Sequence, residues 1–116
     1  MPESPMETLK NSRDFRRVIE GGDREYLETI ITYRLPNLEE KARVGISVSK
    51  KAGGSVRRNL IKRRIREAIR RNAELLPANE DVVIVARRGI ITAGYEDIER
   101  DIRKSCGGMP GEKDDQ

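Results

Sequence analysis

Ten of the twenty-three residues from Lys50 to Asn72 are lysine or arginine, and only Glu67 is acidic. The cations are Lys50, Lys51, Arg57, Arg58, Lys62, Arg63, Arg64, Arg66, Arg70 and Arg71. The window carries +9 in a chain of net charge +4, so the remainder sums to −5. The basicity is therefore a focused patch. A patch of that density repels itself and is stabilised when a polyanion meets it. Arginine outnumbers lysine there, and its planar fork suits phosphate oxygens and base edges. Asn59, inside the patch, adds an amide able to read a base or a sugar hydroxyl. The chemistry indicated is nucleic-acid binding.

Covalent chemistry finds little support. The chain has no histidine, which removes the commonest general base and the commonest zinc ligand. Its single cysteine, Cys106, allows no internal disulfide and fits a reducing, cytoplasmic setting. The acid pairs Glu39-Glu40 and Asp114-Asp115 are a weak magnesium signal. No nucleophile–base pair, phosphate loop or metal cluster can be assembled, so no catalytic or metal-ligating residue is assigned. No apolar run approaches the ~20 residues of a membrane span, and no signal-peptide pattern opens the chain.

The elements that must carry the patch follow from periodicity. Residues 1–7 read as a disordered N-terminus and residues 107–116 as a flexible tail, leaving one small domain over 8–106. Asn11 or Ser12 can cap a short helix that Gly21 and Gly22 stop. Phe15, Val18 and Ile19 would form its narrow apolar face. The β-branched stretch from Glu25 to Arg34 predicts one bent strand or two short ones. Val44, Ile46 and Val48 alternate with Gly45, Ser47 and Ser49, a strand with one apolar face and one small, polar face. Gly53-Gly54 ends it, and Ser55 can cap the next helix. On that helix Ile61, Ile65, Ala68, Ile69 and Asn72 line one side, while Asn59, Lys62, Arg63, Arg66 and Arg70 line another. Residues 82–86 form an unbroken apolar run typical of a central, doubly covered strand. Tyr95, Ile98 and Ile102 repeat at helical spacing in a last helix. The class is α+β, one sheet with helices packed on it.

The patch lacks the interleaved acids of a merely solvated helix, such as Glu96, Asp97, Glu99 and Asp101 in the last one. Phe15, the only phenylalanine, suits either a core or a stacking platform for an unpaired base. Arg87 and Arg88, at a strand end, could reach the same ligand or be solvated.

The stretch RVGISVSKKAGGSVRRNLIKRRIREAIR (43–70) closely resembles the signature of the bacterial ribonuclease P protein subunit, where a strand runs through a glycine turn into a basic helix bearing Arg-Asn-Arg. LKNSRDFRRVIEGG (9–22) resembles that family's first helix, and DVVIVARRG (81–89) its last strand. The resemblance implies a four-stranded sheet with three helices in the order α-β-β-β-α-β-α, of the ribosomal protein S5 domain 2-like kind. It implies a left-handed β-α-β crossover through the basic helix, against the right-handed rule. It also implies an RNA-binding subunit of a ribonucleoprotein hydrolase, an endonuclease of tRNA processing. In it a catalytic RNA with magnesium removes the 5′ leader of precursor tRNA. The partners implied are that RNA and precursor tRNA, with no membrane, no small-molecule substrate and no cofactor held by the protein alone.

By position, Arg58 and Asn59 match the first two members of Arg-Asn-Arg, with Lys62, Arg63 and Arg66 the basic residues that follow and Lys50 and Lys51 the lysine pair. Arg57 and Arg70 complete the expected RNA-binding set. Phe15, Ser47, Ser49 and Arg87 match leader-cleft positions, and Tyr33 is the ring nearest to where a stacking tyrosine is usual, a position that falls on Thr29 or Ile30. Leu60 stands in place of the third signature arginine, and Ile19 where a second aromatic is common. These departures imply weaker discrimination between leader sequences than in an aromatic-lined cleft. A general or ribosome-associated RNA-binding module is the alternative. A membrane-surface helix fits poorly, because the apolar stripe lacks Trp and Phe bulk.

Overall fold

A half-apolar strand and a wholly apolar one, joined by an amphipathic helix, are the ingredients of a crossover between neighbouring parallel strands. The computed structural model, which describes residues 6–9, 11–38, 41–76 and 79–107, shows that arrangement. In chain order the elements are β1 (Met6–Thr8), α1 (Ser12–Gly21), β2 (Asp23–Tyr26), β3 (Ile30–Pro36), β4 (Ala42–Ser47), α2 (Ser55–Arg71), β5 (Glu80–Ala86) and α3 (Tyr95–Ile102). The sheet order is β1-β4-β5-β3-β2. Strands β1, β4 and β5 are mutually parallel where they pair, and β3 and β2 run antiparallel. The molecule is thus a small α+β domain with three helices on a mixed sheet, the four expected strands being β2 to β5.

One strand is additional. Residues 1–7 read as disordered, yet Met6–Thr8 pairs with Ala42–Val44, and the Leu9 N–H continues the ladder to the Val44 carbonyl at 2.8 Å. Leu9 is buried and anchors this edge. Residues 1–5 and 108–116, the rest of the expected disordered ends, lie outside the described residues.

The sheet has two covered faces, as the apolar run of β5 requires. Val82 and Ile84 face α2 and α3 in a core with Ile30, Val44, Ile61, Ile65, Ile69, Ile98 and Ile102. Val83 faces the other way, into a smaller cluster with Leu9, Val18, Phe15, Tyr33, Leu35 and Val85 under α1. The stripe Ile61, Ile65, Ala68 and Ile69 is buried as the helical spacing predicts. Each buried isoleucine contributes about 1.5–3 kcal/mol. Each like-charge pair on the opposite side costs a few tenths of a kcal/mol. Core burial therefore holds α2 helical despite its own repulsion.

Local details differ from expectation in two places. Asn11 caps α1, accepting from the Arg13 N–H at 2.8 Å, but Ile19 is exposed and the buried face of α1 reduces to Val18 and part of Phe15. Helix α2 begins after Gly54, with Ser55 its first residue and no side-chain cap. Gly53 makes the turn at φ 132°, and a Cβ there would meet the Arg57 side chain at 2.7 Å. Asp101 of α3 is buried and accepts from the Thr29 N–H at 2.8 Å and the Thr29 hydroxyl at 2.7 Å, fixing α3 to the β2–β3 turn. No helix among the described residues is long and apolar enough to cross a membrane.

Candidate nucleic-acid interface

With the isoleucines of α2 committed to the core, its cations are turned outward. Arg57, Arg63, Arg66, Arg70, Arg71 and Asn59 are exposed, and Arg58, Lys62 and Arg64 are partly so. Among the described residues the only carboxylate paired with a cation of α2 is Glu67, 3.0 Å from Arg70. Arg71 lies over the Tyr95 ring, 5.8 Å from its centroid. The acids among the described residues therefore leave the patch open. Arg57 and Arg58 sit at the helix N-terminus, where the helix dipole opposes cations. With no acid in the first turn, that end concentrates positive potential. The Nε of Arg58 is shielded and has no hydrogen-bond partner, a free donor inside the patch. Lys62 and Arg66 line a groove of about 110 Å³ with Thr8, Leu9, Val44, Ile46 and Ile69. Such a placement buries aliphatic stem and leaves charge in water.

Lys50 and Lys51 are exposed in a 3-10 turn, Lys50–Ala52, between β4 and α2. Ser49 caps that turn, its hydroxyl accepting from the Lys51 N–H at 3.2 Å. The turn packs against a second one, Arg88–Ile91, that follows β5. The C-terminal ends of parallel β4 and β5 thus bring the lysine pair, the start of α2 and Arg87 to one end of the sheet.

The second surface is the sheet face under α1. Gly45, Val83 and Tyr33 are register partners across β4, β5 and β3, and so are Ser47, Val85 and Ile31 one step further along. The ring of Phe15 lies directly on Gly45: an added Cβ would fall 2.5 Å from the Phe15 Cζ. Phe15, Tyr33 and Ser47 are all partly exposed on this side. Of the positions considered for a stacking ring, Thr29 is buried and held by Asp101, and Ile30 is in the main core, so neither can stack. Tyr33, by contrast, lies on the sheet face under α1.

A buried carboxylate that no local spacing announced fixes α1 over this face. Asp81, at the start of β5, accepts from Arg43 Nε and Nη2, both at 2.8 Å, from Asn37 at 2.7 Å and from Arg17 of α1. Burial alone would raise its pKa, but the hydrogen bonds from Arg43, Asn37 and Arg17 and the charge of Arg43 outweigh that and hold it below the ordinary carboxylate value. Arg17, a cation of α1, is thus one arm of a clamp.

A model of the Ribonuclease P family matches residues 4–109. The ribonuclease P protein component of Streptococcus pneumoniae serotype 4 is 38% identical over 94 residues, covering 81% of this chain and 76% of that protein. Among solved structures, the RNase P protein from Thermotoga maritima superposes with a TM-score of 0.81 at 27% identity, covering 90% of this chain and 99% of that one. The Staphylococcus aureus RNase P protein gives a TM-score of 0.76 at 30% identity, covering 83% and 88%.

Proposed function

The chain belongs to the ribonuclease P protein family and so takes part in ribonuclease P, a tRNA-processing endonuclease, and from that premise we propose that it is an RNA-binding subunit with two surfaces. The open cationic side of α2, with Lys50, Lys51 and Asn59, docks on the catalytic RNA. The sheet face between α1 and the end of β4, with Phe15, Tyr33, Ser47 and Arg87, receives the single-stranded 5′ leader of precursor tRNA. The observation that carries the reading is that, among the described residues, Glu67 is the only carboxylate paired with a cation of α2.

The mechanism is electrostatic. The catalytic RNA and its substrate are both polyanions and repel each other. Arginines that offset phosphate charge on one, and a cleft that holds a strand of the other, lower the free energy of the joined state. Magnesium, bound through the RNA, would supply the hydrolytic chemistry. Among the described residues no three His, Cys, Asp or Glu side chains cluster as potential metal ligands. A cytoplasmic setting belongs to the same reading.

Reconstitution with a bacterial ribonuclease P RNA tests it. The protein is expected to restore precursor cleavage at magnesium concentrations too low for the RNA alone, and a triple Arg58→Ala, Arg63→Ala, Arg66→Ala variant to lose that rescue. Equal binding to unrelated structured RNAs, without rescue, would instead support a general RNA-binding module.

A further inference from the structure

Strand β2 reads Asp23-Arg24-Glu25-Tyr26, and its pairing with β3 sorts these side chains by charge. Arg24 is the register partner of Tyr33, and Tyr26 of Ile31, so both project on the α1 face. Asp23 and Glu25 are partners of Arg34 and Thr32, whose side chains bond Ser105 on the α3 face. The edge strand thus presents only a cation and an aromatic ring to the cleft side. Tyr26 is 58% exposed and belongs to neither apolar cluster. Two guanidinium groups attend its ring, Arg24 at 5.1 Å and Arg87 at 5.6 Å from the centroid. Arg87 is itself anchored, donating to the Leu27 carbonyl at 2.7 Å.

This cluster is continuous with the cleft. Ser47, Val85, Ile31 and Tyr26 form one cross-strand row over β4, β5, β3 and β2. Three strand spacings of ~4.8 Å place Tyr26 about 14 Å from Ser47. We propose that Tyr26, with Arg24 and Arg87, is a stacking subsite for an unpaired nucleobase at the outer end of the leader path. The ring offers a π-face to any base, and the guanidinium groups hold the flanking phosphates or extend the stack. It supplies, on a neighbouring strand, an aromatic contact that Ile19 of α1 does not. The proposal rests on the leader-binding reading given above.

The test uses the holoenzyme reconstituted with ribonuclease P RNA and a series of precursors differing only in leader length. The quantity read is the ratio of Kd for a one-nucleotide leader to Kd for a long one. Tyr26→Ala is expected to cut that ratio roughly five- to tenfold, the scale of one stacked base, while Tyr26→Phe keeps it. A 2-aminopurine walked along the leader should be quenched at one position by wild-type protein and by Tyr26→Phe, but not by Tyr26→Ala. If the wild-type ratio exceeds one and Tyr26→Ala leaves both ratio and quenching intact, the subsite is overturned while leader binding stands. A wild-type ratio of one would overturn both.

Discussion

Leu60 is 39% exposed on α2, one turn from Val56, Arg57 and Arg64, where the family pattern has an arginine. Its neighbours are cations, so an arginine placed there would join an open patch. Leu60→Arg should tighten binding to the catalytic RNA several-fold and steepen the slope of log K against log salt by ~0.9, one added phosphate contact. A salt titration of the variant checks this. Gly45 is constrained differently, because the Phe15 ring occupies the space of a Cβ. Gly45→Ala should cost about 1–3 kcal/mol in denaturant unfolding as the ring is displaced. It should also weaken leader binding, since that ring flanks the cleft. Asp81 has the largest expected effect on stability. Removing it leaves Arg43 and Arg17 without their shared partner, and Asp81→Ala should cost about 3 kcal/mol. Its folded pKa is depressed, so its contribution is complete above the unfolded value of ~3.9 and is lost as pH falls through the lower folded value. Unfolding followed from pH 7 to pH 2 should show a shallower acid limb in Asp81→Asn than in wild type.

At the scale of elements, α2 has a buried side and an open cationic side, and both were legible because helical spacing alone separates Ile61, Ile65, Ala68 and Ile69 from the cations. If about six side chains of the patch neutralise phosphates, binding to the catalytic RNA should fall with salt at a slope near −5. A slope near −1 would mean that the patch is largely unused. The central strand was legible too, because only a strand covered on both faces reads as an unbroken apolar run. Strand β1 was not, since three residues are too short to show a period and their partner lies more than thirty residues away. The start of α2 was misjudged by one residue, because Gly54 rather than Ser55 takes the cap position.

At the scale of the molecule, what escaped the sequence is what the sheet brings together. Arg17, Asn37, Arg43 and Asp81 come from four places in the chain, and no spacing predicts their meeting. Tyr26 gains significance only once the β2–β3 register sets it in line with Ser47, and Tyr33 only once its face of the sheet is known. The open cationic side of α2 and the sheet face under α1 converge where β4 and β5 end, so under the proposed function the catalytic RNA and the leader would be brought within one small protein's reach of each other. The most direct measurement tethers iron–EDTA to single cysteines in a Cys106→Ser background and maps hydroxyl-radical cuts in the reconstituted holoenzyme with precursor bound. Val56→Cys, on the exposed start of α2, should cut the catalytic RNA at discrete sites, Ser47→Cys should cut the leader, and Glu96→Cys on α3 should cut neither. Equal cutting of the catalytic RNA from positions 56 and 96, or none from 56, would contradict docking through α2.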